Sequence, residues 1–211
     1  KLLGTNPIVI SIPTGNSNPI ILDMATSATA YGAIEQFAIN NMQLHPDWAM
    51  DLEGNPVLDP KEVLKGNGML MPMARHKGYG LALIVDILCF ALAGAKASKD
   101  IVSLRAQGED IGNEGVGHVM IAIDISRFGS KEKFKSDVNE YVDFIKGSKK
   151  KKEVSEIFVP GEIEYNKLKV NMEDGIELKE NVYEYLEKIS KEYNIIDKDQ
   201  SLEDAYQEYL N

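Results

Sequence analysis

Arg75, His76 and Lys77 stand in the heptapeptide RHKGYGL (75–81), directly in front of the most apolar run of the chain, LALIVDILCFALAGA (81–95). The run predicts a fully buried helix. A helix N-terminus carries partial positive charge, so basic side chains placed there oppose the helix dipole. Two readings account for them. Lys77 meets a phosphate or carboxylate, with Gly78 and Gly80 permitting close approach; or it is a surface lysine whose stem packs beside the helix. A second place for chemistry is LDMATS, Leu22–Ser27. A strand end feeding a helix start leaves backbone N–H groups for an anion or a ribose, although Asp23 and Thr26 serve equally well as turn caps.

A third stretch is GNEGVGH, Gly112–His118. Its glycines run in the reverse sense of the GxGxxG fingerprint and precede a strand rather than a helix, so the Rossmann reading fails on context. A glycine-rich turn beside a ligand and an ordinary bulge both remain. The PGE of Pro160–Glu162 reads, alone, as a turn. Asp86 lies inside the apolar run and must be paired or hydrogen-bonded there. His45, His76 and His118 are scattered without a His-Glu-x-x-His spacing, so no catalytic metal is expected. No G-x-S-x-G nucleophile elbow occurs. The single cysteine, Cys89, excludes an internal disulfide or a multi-thiolate site and reads as a small core residue.

The elements that must position these residues follow from periodicity. Ile8–Ile12 and Ile20–Leu22 read as strands around the turn cluster TGNSNP, close enough in sequence to pair antiparallel. Thr26 or Ser27 then caps a helix through ATAYGAIEQFAIN. HPDWAMDLEGNPVLDP reads as a loop, and Asp59-Pro60-Lys61-Glu62 as a helix start with Asp59 as cap and Glu62 reaching back. GNGMLMPM is loop or strand. Val119–Ile123 and Glu156–Val159 read as strands. Phe134, Val138, Tyr141, Val142 and Ile145 mark one face of an amphipathic helix, and Val182, Leu186 and Ile189 mark another. The order is α/β in class, and no repeat of fixed period interrupts it.

With 211 residues, the chain is long enough for one well-cored domain and a small appendage. Its formal net charge of −10 opposes general nucleic-acid binding, which needs a basic footprint. The one basic cluster, Lys149–Lys152, reads as a solvated loop. Leu81–Ala95 is shorter than the roughly 20 apolar residues a bilayer requires and is broken by Asp86, so no membrane span is expected. With no secretory or organellar presequence, a cytoplasmic location is expected.

The motifs acquire a joint meaning from their order. LLGTNPIVISIPTG, ILDMATSATAYG, DLEGNPVLDP, RHKGYGLALIVDILCFALAGA, GHVMIAIDISRF and VPGEIE followed by DGIEL succeed one another from Leu2 to about Ile189. The chain resembles the malate/L-lactate dehydrogenase family, the group that also holds sulfolactate and ureidoglycolate dehydrogenases. The resemblance implies an α/β, α+β-like fold with a largely antiparallel mixed sheet wrapped by helices, binding its dinucleotide in a non-Rossmann manner. It implies NAD or NADP as hydride carrier, a small 2-hydroxy or 2-oxo acid as substrate, and a homodimer. By position, it assigns cofactor contacts to Leu22, Asp23, Met24, Ala25, Thr26 and Ser27, to Lys77 and Gly78, and to Pro160, Gly161 and Glu162. His76, Tyr79 and His118 are lesser candidates. Residues 1–163 would form the NAD(P)-binding domain and 164–211 a C-terminal helical segment.

One departure qualifies this assignment. The family's catalytic histidine and substrate-gripping arginine belong to an N-terminal segment that nothing in this sequence matches, so the catalytic residue is unassigned. The expectation is therefore the cofactor-binding part of a dehydrogenase, inactive alone. A non-catalytic dinucleotide-binding or dimerisation module and a metabolite-binding α/β domain are the competing readings.

Overall fold

The β-branched run Ile8–Ile12 forms strand β1, and Ile20–Met24 forms β2. They pair antiparallel, with Ile8 opposite Met24 and Ile12 opposite Ile20. The computed structural model describes residues 2–16, 18–101, 115–197 and 199–210. The chain divides into two units, Lys1–Glu162 and Ile163–Asn211.

In the first unit, helix α1 spans Tyr31–Ile39 and is preceded by Ala30, which offers no side-chain cap. Thr26 and Ser27 do not cap the helix, and both hydroxyls go to other carbonyls. Thr26 Oγ1 donates to the Thr5 carbonyl at 2.9 Å and Ser27 Oγ to that of Thr29 at 2.7 Å. Helix α2, Pro60–Leu64, starts as expected, with Asp59 accepting from the Lys61 N–H at 2.9 Å. Glu62 does not reach back, however. It accepts from Lys65 Nζ at 2.7 Å and Asn67 Nδ2 at 2.8 Å.

The segment read as a loop before α2 builds the core instead. Ala49–Met50 is a short strand, β3, paired antiparallel with β4, Met69–Leu70. Ile34, Leu44, Ala49 and Val63 form the buried cluster, with Phe37, Trp48, Val57 and Leu70 against it. Phe37 and Trp48 meet edge to face, ring centroids 5.1 Å apart, an arrangement the ring quadrupoles favour. Short apolar residues separated by Pro, Asp and Gly hide such a core from any periodicity test.

Helix α3, His76–Ile87, runs on as a π turn over Leu88–Leu92. It starts earlier than the apolar run and is not fully buried. Gly78 and Ala82 are buried, whereas Leu81, Ile84 and Ile87 are 38%, 55% and 41% exposed. Among the described residues, little covers that face. Cys89 is half-buried, not a core residue. Asp86 is satisfied: Oδ1 accepts from the Ser98 N–H at 2.9 Å and Ser98 Oγ at 2.5 Å.

Neither Val119–Ile123 nor Glu156–Val159 forms a strand. Met120 and Ile121 are 93% and 79% exposed, and no backbone N–H of 119–123 has a protein partner among the described residues. The antiparallel character expected of the sheet holds in two separate pairs, β1–β2 and β3–β4. Helix α4, Lys131–Lys146, half-buries Phe134, Val138, Val142 and Ile145, but Tyr141 is exposed and stacks on Phe144. Its Asn139 Oδ1 accepts from the Gly15 N–H at 3.1 Å, at the turn between β1 and β2. Lys149–Lys152 are exposed.

The second unit is helical: most of α5 (Glu162–Asp174), then α6 (Glu180–Glu192) and α7 (Leu202–Leu210). Val182, Leu186 and Ile189 share a face of α6, as their spacing predicts. No helix among the described residues is long and apolar enough to cross a membrane.

Candidate functional site

Backbone hydrogen bonds attach the separated motifs of the first unit along β2 and the residues that follow it. From the Asp23–Ser27 stretch, the Thr26 carbonyl accepts from the Met73 N–H at 2.9 Å, and the Met73 carbonyl in turn accepts from the Gly78 N–H at 3.0 Å. Met73 thus couples LDMATS to the first turn of α3. The Ala28 N–H adds a bond to the Met71 carbonyl at 2.7 Å, and Ser27 bridges Pro72.

This approach requires a glycine. A Cβ at position 78 would overlap the Met73 carbonyl oxygen and lie 2.8 Å from its nitrogen and 2.9 Å from its Cγ. Gly80 is different, since a Cβ there would meet nothing within 4 Å.

From the other side, the Ile21 N–H donates to the Pro160 carbonyl at 3.0 Å. Gly161 has φ +87°, and a Cβ there would press on Ile21 at 3.2–3.3 Å. The PGE turn is therefore laid against β2 immediately before LDMATS. The resemblance implied one shared site for these motifs; the hydrogen bonds tie each of them to β2 or to the residues that follow it.

The side chains differ in what they leave available. Thr26 is buried and gives both its N–H and its hydroxyl to the Thr5 carbonyl, each at 2.9 Å. Its neighbours' amides, Ala25 and Ser27, have no partner among the described residues. Asp23 is exposed, while Leu22, Met24, Ala25 and Ser27 are half-buried. Glu162 is committed: Oε2 accepts from the Val159 N–H at 3.0 Å, and Oε1 forms a short ion pair with Lys146. Hydrogen bonding to Lys146 holds the Glu162 carboxyl below its ordinary range, and the same bond raises the lysine.

At the start of α3, Arg75, His76 and Lys77 are exposed, and none has an acidic partner among the described residues. The Lys77, Gly78 and Tyr79 amides already bond to the carbonyls of Ala74, Met73 and Arg75. Only the His76 N–H of this turn lacks a protein partner among the described residues. The attraction offered to an anion is therefore mostly that of the side-chain charges and the helix dipole. Two adjacent non-glycine residues, Ala74 and Arg75, hold φ of +46° and +57° just before the helix. Such strain collects at sites where geometry serves function. Nothing in the residue types of Ala74 and Arg75 announces it.

His118 does not join this cluster. Gly117 packs against Ala95 and lies near the Cys89 carbonyl, so His118 sits by the far end of the α3 rod. Cys89 is twelve residues beyond Lys77 in sequence, or about 18 Å along a helix rising 1.5 Å per residue. Gly115 and Gly117 serve the close approach of chain to that end, whereas Gly112–Glu114 lie outside the described residues. His76 and Tyr79 stay beside Lys77, both exposed. No group of His, Cys, Asp and Glu suited to a metal ion occurs among the described residues. Met73 and Lys146 are the site-forming residues that sequence reading missed. An apolar loop residue and a helix-end lysine carry no signal by type.

The family model for malate/L-lactate dehydrogenase matches residues 1–187. The malate/(S)-sulfolactate dehydrogenase of Methanothermus fervidus is 36% identical over 194 residues, covering 92% of this chain and 54% of the relative. The ureidoglycolate dehydrogenase (NAD(+)) of Escherichia coli K12 is 28% identical over 184 residues, covering 87% and 51%. The crystal structure of malate dehydrogenase from Entamoeba histolytica gives a TM-score of 0.83 at 29% identity, over 92% of this chain and 56% of that one. The chain spans about half the length of the curated relatives it matches. It belongs to the malate/L-lactate dehydrogenase family.

Proposed function

We propose that this chain is the dinucleotide-binding part of an NAD(P)-dependent oxidoreductase that exchanges a hydride between a nicotinamide cofactor and a small 2-hydroxy acid. The family membership and the relatives that act on malate, sulfolactate or ureidoglycolate support the reaction class. The observation that carries the binding role is the exposed Lys77 and Arg75, without an acidic partner among the described residues, at the helix start that Met73 joins to LDMATS.

The residues present fit an anionic dinucleotide. Lys77 and Arg75 supply positive charge, uncompensated among the described residues, at a helix start, where a phosphate is favoured twice over. Ala25 and Ser27 supply amides without a partner among the described residues, and Gly161 supplies a surface without a side chain. When bound, the nicotinamide supplies the redox chemistry, and the protein's part is to hold it and keep it oriented. Thr26 acts through its backbone and Glu162 through the turn it braces, because their side-chain groups are engaged. Oxidising a hydroxy acid also needs a base for the hydroxyl proton; we assign no residue of this chain to it. Both NAD and NADP remain within the proposal, as does a homodimer.

Titration of NADH and NADPH by fluorescence tests the binding role. Loss of one charge-assisted contact costs about 1.5–3 kcal/mol, so Lys77→Ala should weaken binding at least tenfold. Equal affinity of the variant and the wild type removes Lys77 from the site. Failure of both nucleotides to bind the wild type refutes the dinucleotide reading.

A further inference from the structure

The segment 156–162 raises a physical question. It carries the PGE turn, yet it forms no strand. Something other than a sheet ladder must fix where the turn lies. The contacts that do so converge on one side chain in the last turn of α4.

Lys146 Nζ pairs with Glu162 Oε1, lies 3.4 Å from Glu156 Oε1, and stands 5.9 Å from the centroid of the Phe158 ring. All of these partners belong to the one short segment. The paired Glu162 then closes the turn on itself: its Oε2 accepts from the Val159 N–H at 3.0 Å, while its own N–H donates to the Val159 carbonyl at 3.1 Å. The closed turn presents the Pro160 carbonyl to the Ile21 N–H and sets Gly161 against Ile21. At 28% exposure for Lys146 and 25% for Glu162, the pair is shielded from water on most of its surface. Helix α4 is itself anchored to the same, turn end of the hairpin through Asn139 and Gly15. It therefore meets the β1–β2 turn from its middle and the PGE turn from its C-terminal end.

We propose that Lys146 is a positioning residue for the dinucleotide site: it holds Glu162, and through Glu162 the Pro160–Gly161 surface that β2 receives. The inference rests on the dinucleotide reading above. It also gives Glu162 a definite part, as the group that shapes the turn rather than one that touches the ligand. A guanidinium can keep the ion pair, whereas an isosteric thioether cannot, so Lys146→Arg and Lys146→Met separate charge from bulk.

The test uses the full chain with three readouts: NADH affinity, melting temperature, and amide exchange of Ile21 and Val159 in the ligand-free protein. Lys146→Met should exchange both amides faster and bind NADH about tenfold more weakly, with a melting temperature within a few degrees of the wild type. Lys146→Arg should restore exchange and affinity to within about threefold. Unchanged exchange at both amides in Lys146→Met overturns the role of Lys146, whatever binds. Faster exchange with unchanged NADH affinity overturns it as well, because the turn would then move without consequence for the ligand. A wild type that binds neither NADH nor NADPH refutes the underlying reading instead, and the exchange data still decide whether Lys146 holds the turn.

Discussion

Gly78 and Gly80 are two residues apart on the same helix, and the structure predicts opposite outcomes when each becomes alanine. In a helix interior, alanine is favoured over glycine by about 1 kcal/mol, mainly through backbone entropy. At position 80 nothing lies within 4 Å of the added methyl, so that gain is realised. At position 78 the methyl overlaps the Met73 carbonyl and crowds its nitrogen and Cγ. The Met73 backbone cannot give way freely, since its N–H is bonded to Thr26 and its carbonyl to Gly78. Forced overpacking costs about 1–3 kcal/mol, and one strained or lost hydrogen bond adds about 1 kcal/mol. After the helix gain is subtracted, Gly78→Ala should lose about 1–3 kcal/mol, and Gly80→Ala should gain up to about 1 kcal/mol. Urea unfolding followed by circular dichroism measures both. NADH titration should show weakened binding for Gly78→Ala alone. If Gly78→Ala proves as stable as Gly80→Ala, Met73 does not lie where the hydrogen bonds place it, and the link between LDMATS and α3 is wrong.

Gly161→Ala places a side chain at φ +87° and against Ile21. The left-handed conformation alone costs about 1–2 kcal/mol, so a drop in stability with weaker NADH binding is expected, and a neutral variant would contradict the packing of the PGE turn. The Lys146–Glu162 pair fixes a pH dependence. Stability from the lowered Glu162 carboxyl is present above its ordinary value of 4.5 and is lost as pH falls through its folded value. Stability from the raised Lys146 amine is present below 10.5 and lost as pH rises through its folded value. A difference of about 1 kcal/mol or less between wild type and Lys146→Met should therefore hold level through neutral pH and vanish in acid. A difference that persists unchanged at pH 3 would deny the ion pair. At two apolar residues exposed among the described residues, Ile84→Lys and Ile121→Lys should each change stability by no more than about 0.5 kcal/mol, given exposures of 55% and 79%. They should also reduce binding of an apolar dye; a large loss of stability would mean that something covers these residues in solution.

Much of the local structure was legible from residue types. The β1–β2 hairpin, the Asp59 cap, the face of α4 and the pairing of Asp86 all follow from short-range rules, because their partners lie close in sequence. What failed depended on distant chain. The Leu81–Ala95 run is apolar enough for full burial, yet burial needs a neighbour, and the described residues supply little for Leu81 or Ile84. Val119–Ile123 has strand composition, but a strand exists only with a partner. Thr26 was read as a cap or a ligand; its hydroxyl goes to Thr5, 21 residues earlier in the chain. The grouping of LDMATS, HKG and PGE came from the resemblance alone, because the Met73 and Ile21 backbone bonds that attach them leave no mark on side-chain identity.

The central claim is that these motifs, attached along β2 and the residues after it, form one dinucleotide site. Amide shift mapping by two-dimensional NMR during an NADH titration tests it most directly. The account predicts that amides of Asp23–Ser27, His76–Gly78 and Gly161–Glu162 move together along one binding curve, while those of α6 and α7 stay still. Shifts confined to one motif, or centred on the second unit, would contradict it.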